Sequence, residues 1–161
     1  MNGEVSVTIK RILPTPTGAG VFLTDGNKVI AIFIDHHVAA AITMFIHKVR
    51  KPRPLTHDLI GSILDGLGVR VEKVLINDLK EDTFFARIYM TQESEVGRSV
   101  LEVDARPSDS IALAVRHGCP ILVSEKVWED AQDMTWALEQ VPPEEPGAGE
   151  AGEGEEPPKG G

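Results

Sequence analysis

Two short stretches hold the residues best suited to chemistry: Arg53-Pro54-Leu55-Thr56-His57-Asp58-Leu59 and Asp104-Ala105-Arg106-Pro107-Ser108-Asp109-Ser110-Ile111. Each places an Arg-Pro pair ahead of a hydroxyl residue and an aspartate. Proline holds the residue before it extended. If the two stretches meet in space, Asp58, Asp104, Asp109 and His57 offer hard oxygen and imidazole ligands for a divalent ion such as Mg²⁺ or Mn²⁺. Asp58, Asp109 and His57 are then the catalytic candidates. Arg53 and Arg106 suit a phosphate, whose oxygens match a planar bidentate donor, and Thr56, Ser108, Lys51 and Arg50 stand beside them as substrate contacts. Such an assembly activates water and neutralises charge in phosphodiester cleavage. The same residues also support a purely structural account. Thr56 and Ser108 can each accept from the free N–H groups of a helix start, and Asp58 and Asp109 fall where a helix dipole favours negative charge. Spacing alone leaves both accounts open.

His47-Lys48-Val49-Arg50-Lys51-Pro52-Arg53 is the densest basic stretch. It is either a local patch for nucleic acid or a set of cations complementing the end of a helix. Asp35-His36-His37 invites comparison with the Asp-His-His phosphoesterases, but the other motifs of that family do not precede it, so the triplet reads as an exposed helix start. Cys119 reads as a buried structural thiol. Trp128 and Trp136 suit packing or a subunit contact. The chain has no Gly-rich phosphate loop, no Cys-x-x-Cys zinc pattern and no Gly-x-Ser-x-Gly elbow.

The elements that must position these residues follow from patterning. Val5, Val7 and Ile9 alternate with polar neighbours, which predicts a strand that Pro14 and Pro16 break. Val21–Thr24 and Lys28–Ile34 flank Asp25-Gly26-Asn27, a hairpin turn. A helix is expected over 37–50, with Val38, Ile42, Phe45 and Val49 on its apolar face. A second starts near Thr56, presents Ile60, Ile63, Leu64 and Leu67, and ends at Gly68. Strands are expected over 69–77, 83–91 and 99–103, a third helix from Ser108 to Gly118, a strand over 121–123 and a last helix over 125–140. This order predicts an α+β fold: a single domain with a mixed, largely antiparallel sheet packed by about four helices.

Length and charge bound the rest. A chain of 161 residues supports one core. Its net charge is −9, of which six glutamates and one lysine at 142–161 supply −5, leaving −4 for residues 1–141. Domain and tail are thus expected at 1–141 and 142–161, the tail being too poor in apolar residues to order itself. An acidic domain needs a local basic patch to hold nucleic acid. No apolar run approaches the roughly 18–20 residues that span a bilayer, so no membrane partner is expected. The opening Met1-Asn2-Gly3-Glu4 lacks the basic region of a signal peptide, and a single cysteine fits a reducing cytoplasm.

The two Arg-Pro stretches, together with Leu67-Gly68-Val69, Asp82–Ala86, Asp104–Arg116 and Cys119–Val123, resemble the bifunctional nuclease domain family of bacteria and plants. The resemblance covers roughly residues 5–130. It implies a compact α+β domain that self-associates, a dimer foremost, and acts on both DNA and RNA; it supplies no secure catalytic residue. The chain departs from the family's pattern at Ile34–Ile42, where Val38 stands in place of a usual glutamate. Two functions follow as expectations: a metal-assisted nuclease working through the two stretches, or a non-catalytic oligomeric binding or regulatory module in which they are structural helix caps.

Overall fold

The structure, a computed structural model, describes residues 3–142. Apart from Pro142, the tail expected at 142–161 lies outside the described residues. The chain runs β1 (Glu4–Thr15), β2 (Gly18–Thr24), β3 (Val29–Ile34), α1 (His36–Ile46), α2 (Thr56–Gly66), β4 (Val69–Lys80), β5 (Thr83–Ser94), β6 (Gly97–Ala105), α3 (Pro107–His117), β7 (Ile121–Ser124), α4 (Glu125–Asp130) and α5 (Thr135–Glu139). The seven strands form one sheet in the order β3-β2-β1-β7-β4-β5-β6. Among the described residues only the β4–β7 pairing is parallel; the other five are antiparallel. The fold is α+β, as the patterning predicts, with five helices among the described residues.

Local chemistry explains most boundaries. Asp25 accepts from the Asn27 and Lys28 amides, each at 2.9 Å, and Gly26 takes φ 104°, which turns β2 into β3. Glu81 and Asp82, both at positive φ, make a two-residue turn between β4 and β5. Gly118 ends α3 in the left-handed conformation.

Three expectations fail for identifiable reasons. Pro14 does not end β1, because β7 pairs only with Glu4–Val7 and leaves the outer edge of later residues free of ladder bonds. α1 stops at Ile46, not Arg50: Lys48 turns left-handed at φ 51°, and Val49 swings out to 46% exposure. The single helix expected over 125–140 is two. The Met134 amide donates to the Val29 carbonyl at 2.7 Å and Asp133 caps Thr135, so a tertiary bond and a local cap outweigh the apolar stripe.

The principal core gathers Val21, Leu23, Ile30, Ile32, Ile76 and Ile88 of the sheet under Val38 and Ile42 of α1 and Ile111 of α3. A smaller cluster on the opposite face of β2 and β3 holds Phe22, Val29 and Ala31 against Met134, Ala137 and Leu138. Phe33 shares the side of Ala31 but escapes this cover and is 66% exposed. Val38, at the position of the family's usual glutamate, is a packing residue of the main core.

Candidate functional site

α2 and α3 bring the two Arg-Pro stretches together. His57 Nε2 lies 2.9 Å from Asp109 Oδ1. A carboxylate only accepts, so the ring donates from Nε2 and keeps the lone pair of its neutral form on Nδ1. Arg106 Nε donates to the other oxygen of Asp109 at 2.9 Å, and its Nη1 lies 3.8 Å from Asp35. Asp109 raises the Arg106 guanidinium further above its ordinary value. The result is a continuous chain, Asp35–Arg106–Asp109–His57. Asp35 is its exposed end and His57 its buried one, with Arg106 exposed between the two acids and the imidazole standing edge-on to Phe45 at 6.3 Å.

Asp58 belongs to a different group. Its carboxylate accepts from the Leu55 amide at 2.9 Å and from Arg116 Nε at 3.0 Å, with Lys51 Nζ at 3.3 Å. Burial pushes this carboxyl up, but the Leu55 N–H, Arg116 and Lys51 outweigh it and hold it below its ordinary value of 3.8. Asp58, at the third position of α2, thus supplies the side-chain half of a capping box and a tie to α3.

The helix starts correct the capping expectation. Leu55 and Arg106 occupy the cap positions, so Thr56 and Ser108 fall inside the helices and cap neither. In α3, Pro107 sits at the first position, where its missing N–H and preset φ fit. Of the expected substrate contacts, Arg50, Arg53 and Thr56 are exposed. Lys51 is engaged with Asp58 and with the Phe45 ring at 4.9 Å.

The expected metal set does not assemble. Asp58 is neutralised by two cations, Asp109 is held by His57 and Arg106, and Asp104 is exposed on β6 opposite Arg87. Among the described residues, no three His, Cys, Asp or Glu side chains are grouped to hold an ion. Carboxylates already paired with cations make a poor donor set, and these residues do not fit the divalent ion.

Sequence reasoning missed Arg116 and Gly61. Asp109 and Arg116 are seven residues apart, two turns on one face of α3, which was the available signal. A side chain at Gly61 would place its Cβ 2.0 Å from Arg116 Nη1. Gly61→Val should therefore push Arg116 off Asp58 and lower the unfolding free energy by about 1–3 kcal/mol, measured by urea denaturation.

Cys119 is half-buried rather than fully buried, and burial raises its thiol above the ordinary value, which disfavours a nucleophilic thiolate. Trp128 is buried in the core, whereas Trp136 is 51% exposed. His36 and His37 are exposed at the start of α1, capped by Asp35, which accepts from Val38 N. No helix among the described residues is long and apolar enough to cross a membrane.

Comparison with known proteins places the sequence in a family. The bifunctional nuclease domain profile matches residues 21–135. An uncharacterized protein of Mycobacterium tuberculosis is 39% identical over 132 residues, 80% of this chain and 76% of the relative. Bifunctional nuclease 2 of Arabidopsis thaliana is 30% identical over 104 residues, 64% of this chain, and Bifunctional nuclease 1 of Oryza sativa subsp. japonica is 26% identical over 106, 65% of this chain. This chain spans 31% and 32% of those two plant proteins. The matched stretch contains both Arg-Pro segments and the pairing of His57 with Asp109, and this chain belongs to the bifunctional nuclease domain family.

Proposed function

We propose that this chain hydrolyses phosphodiester bonds of DNA and RNA, and that Arg106, Asp109 and His57 do the work. The observation that carries the reading is the 2.9 Å contact between His57 and Asp109, which joins the two motifs into one group that includes an exposed arginine. Arg106 would hold a phosphate through the edge of its guanidinium not used by Asp109. Asp109 orients the imidazole; Nδ1 would take a proton from water as its oxygen bonds to phosphorus, and would return that proton to the leaving oxygen as the ester P–O bond breaks. Arg50 and Arg53, both exposed ahead of α2, add the local positive charge that an acidic domain needs.

The test is cleavage of single-stranded RNA and DNA by purified protein in Mg²⁺, in Mn²⁺ and in EDTA, with Arg106→Ala alongside. Loss of one charge-assisted contact should slow cleavage about 10- to 100-fold. The melting temperature should hardly move, because the Arg106 side chain is 66% exposed. Undiminished cleavage by Arg106→Ala would remove this site from the reaction.

The burial of His57, 7% exposed at its side chain, favours a second reading. Here the His57–Asp109 and Asp58–Arg116 pairs only brace α2 against α3, and the chain is a cytoplasmic oligomeric binding module. β6 offers a surface for a homodimer: eight of its nine residues are exposed, Val100 at 69% and Val103 at 43%, on the free edge of the sheet. Antiparallel self-pairing about Val100 would set Arg98 against Glu102 of the second copy. Val100→Glu should then shift a dimer to monomer in sedimentation velocity; an unchanged assembly state would rule out this edge.

A further inference from the structure

An open hollow of about 580 Å³ lies beside Arg106, between β3, the β4–β5 turn and the start of α3. Its size is that of a small-ligand site. Phe33 and Phe84 line it, with Asp35, Asp82, Arg106 and Ser108. Neither His57 nor Asp109 is among its lining residues, and they connect to it through Arg106.

Three observations mark this hollow as built for a ligand. Phe33 is a large aromatic 66% exposed on a strand whose other residues are buried. Its ring lies over Gly20, its cross-strand partner, where an added Cβ would come within 3.3 Å of it; the missing side chain lets the ring lie there. Ser108 is 6% exposed yet lines the hollow, and its hydroxyl takes part in none of the side-chain hydrogen bonds among the described residues. The first backbone bond of α3 is Ser110 N to Arg106 O. The Ser108 and Asp109 amides precede it and have no intrahelical acceptor.

We infer that this hollow binds one unstacked nucleotide, its base against Phe33 and its phosphate at Arg106, the Ser108 hydroxyl and the start of α3. The distribution of charge sets the orientation. Asp35 and Asp82 repel phosphate but accept from the N–H groups of a base edge, whereas Arg106 and the α3 amides attract an anion. Aromatic faces bind bases of any sequence by stacking. The inference rests on the phosphodiester reading only in that Arg106 serves both, and it restricts the substrate to strands in which a base can leave its stack.

The test is titration of the full chain with the four nucleoside 5′-monophosphates and with ribose 5-phosphate, followed by NMR, for the natural sequence and Phe33→Ala. At least one mononucleotide should bind more tightly than ribose 5-phosphate. Phe33→Ala should weaken that mononucleotide about 5- to 100-fold and leave ribose 5-phosphate unchanged. Phe33 is largely exposed, so the variant should fold, which its melting curve checks. Failure of all four mononucleotides to bind, or equal binding by Phe33→Ala, would overturn the inference. Binding without cleavage would keep the nucleotide site and discard hydrolysis; cleavage with a KM indifferent to Phe33→Ala would do the reverse.

Discussion

His57→Gln should lower cleavage of single-stranded RNA about 10²- to 10⁴-fold, the usual contribution of a positioned general base. Glutamine is chosen because its Nε2 can still donate to Asp109 Oδ1, now 2.9 Å from the ring nitrogen. The brace between α2 and α3 is then kept, and only the second ring nitrogen is lost. The Phe45 contact changes too, so the melting temperature is measured in parallel. Lost activity with an unchanged melt identifies a base. Activity and melting temperature falling together identify a strut, and full activity in a folded variant dismisses His57 from the reaction. Asp109→Asn should act through the same group. It removes the charge that accepts from both His57 and Arg106, so the variant should lose activity and free Arg106 from its fixed orientation.

The largest effect on stability should come from Asp58→Asn, about 2–3 kcal/mol by urea denaturation at neutral pH. Asp58 and Arg116 are 17% and 23% exposed at their side chains, so the pair is well shielded. Removing one charge of a shielded pair leaves the other desolvated without compensation. The one amide oxygen that remains can face either Arg116 or the Leu55 amide and Lys51, so one of the two sides meets an NH₂ group in place of its acceptor. The change also has a pH signature. Asp58 titrates below 3.8 when folded, so its contribution is complete above the unfolded value and disappears as pH falls through the folded one. The natural protein should therefore lose stability on acidification below about pH 4 more steeply than Asp58→Asn. Parallel acid profiles would mean that the Asp58 carboxylate is not held by these partners.

These two experiments separate carboxylates that look alike in the sequence. Both Asp58 and Asp109 stand in the first turn of a helix after an Arg-Pro pair. One is enclosed by Lys51, Arg116 and a backbone amide, while the other reaches His57 and an exposed arginine. That difference depends on which end of α3 is involved: Asp58 of α2 meets Arg116 in its last turn, whereas Asp109 in its first turn meets His57. Gly61 decides part of it, because only a residue without a side chain lets Arg116 lie against α2.

Local signals made much of the fold legible. The Asp25-Gly26-Asn27 turn, the glycine ends of α2 and α3, and the alternation of β1 each act within a few residues and survive into the structure. Where a distant contact competes, the local signal loses. The expected helix over 125–140 yields to the Met134–Val29 bond, and Pro14 is tolerated inside β1 because of where β7 stops. Ile63 and Leu67, read as core from their helical spacing, are 51% and 60% exposed, since spacing reports a face and not what covers it.

By itself the sequence determined the α+β class, most strands and turns, and the family. Tertiary structure alone decided that His57 meets Asp109 across 52 residues of chain, that Asp58 and Asp104 do not join them, and that Phe33 stands over a hollow beside Arg106. The physical reason is range. Caps, turns and alternation are set by bonds between near neighbours, whereas the allotment of cations to carboxylates follows from how α2 and α3 pack on a shared sheet.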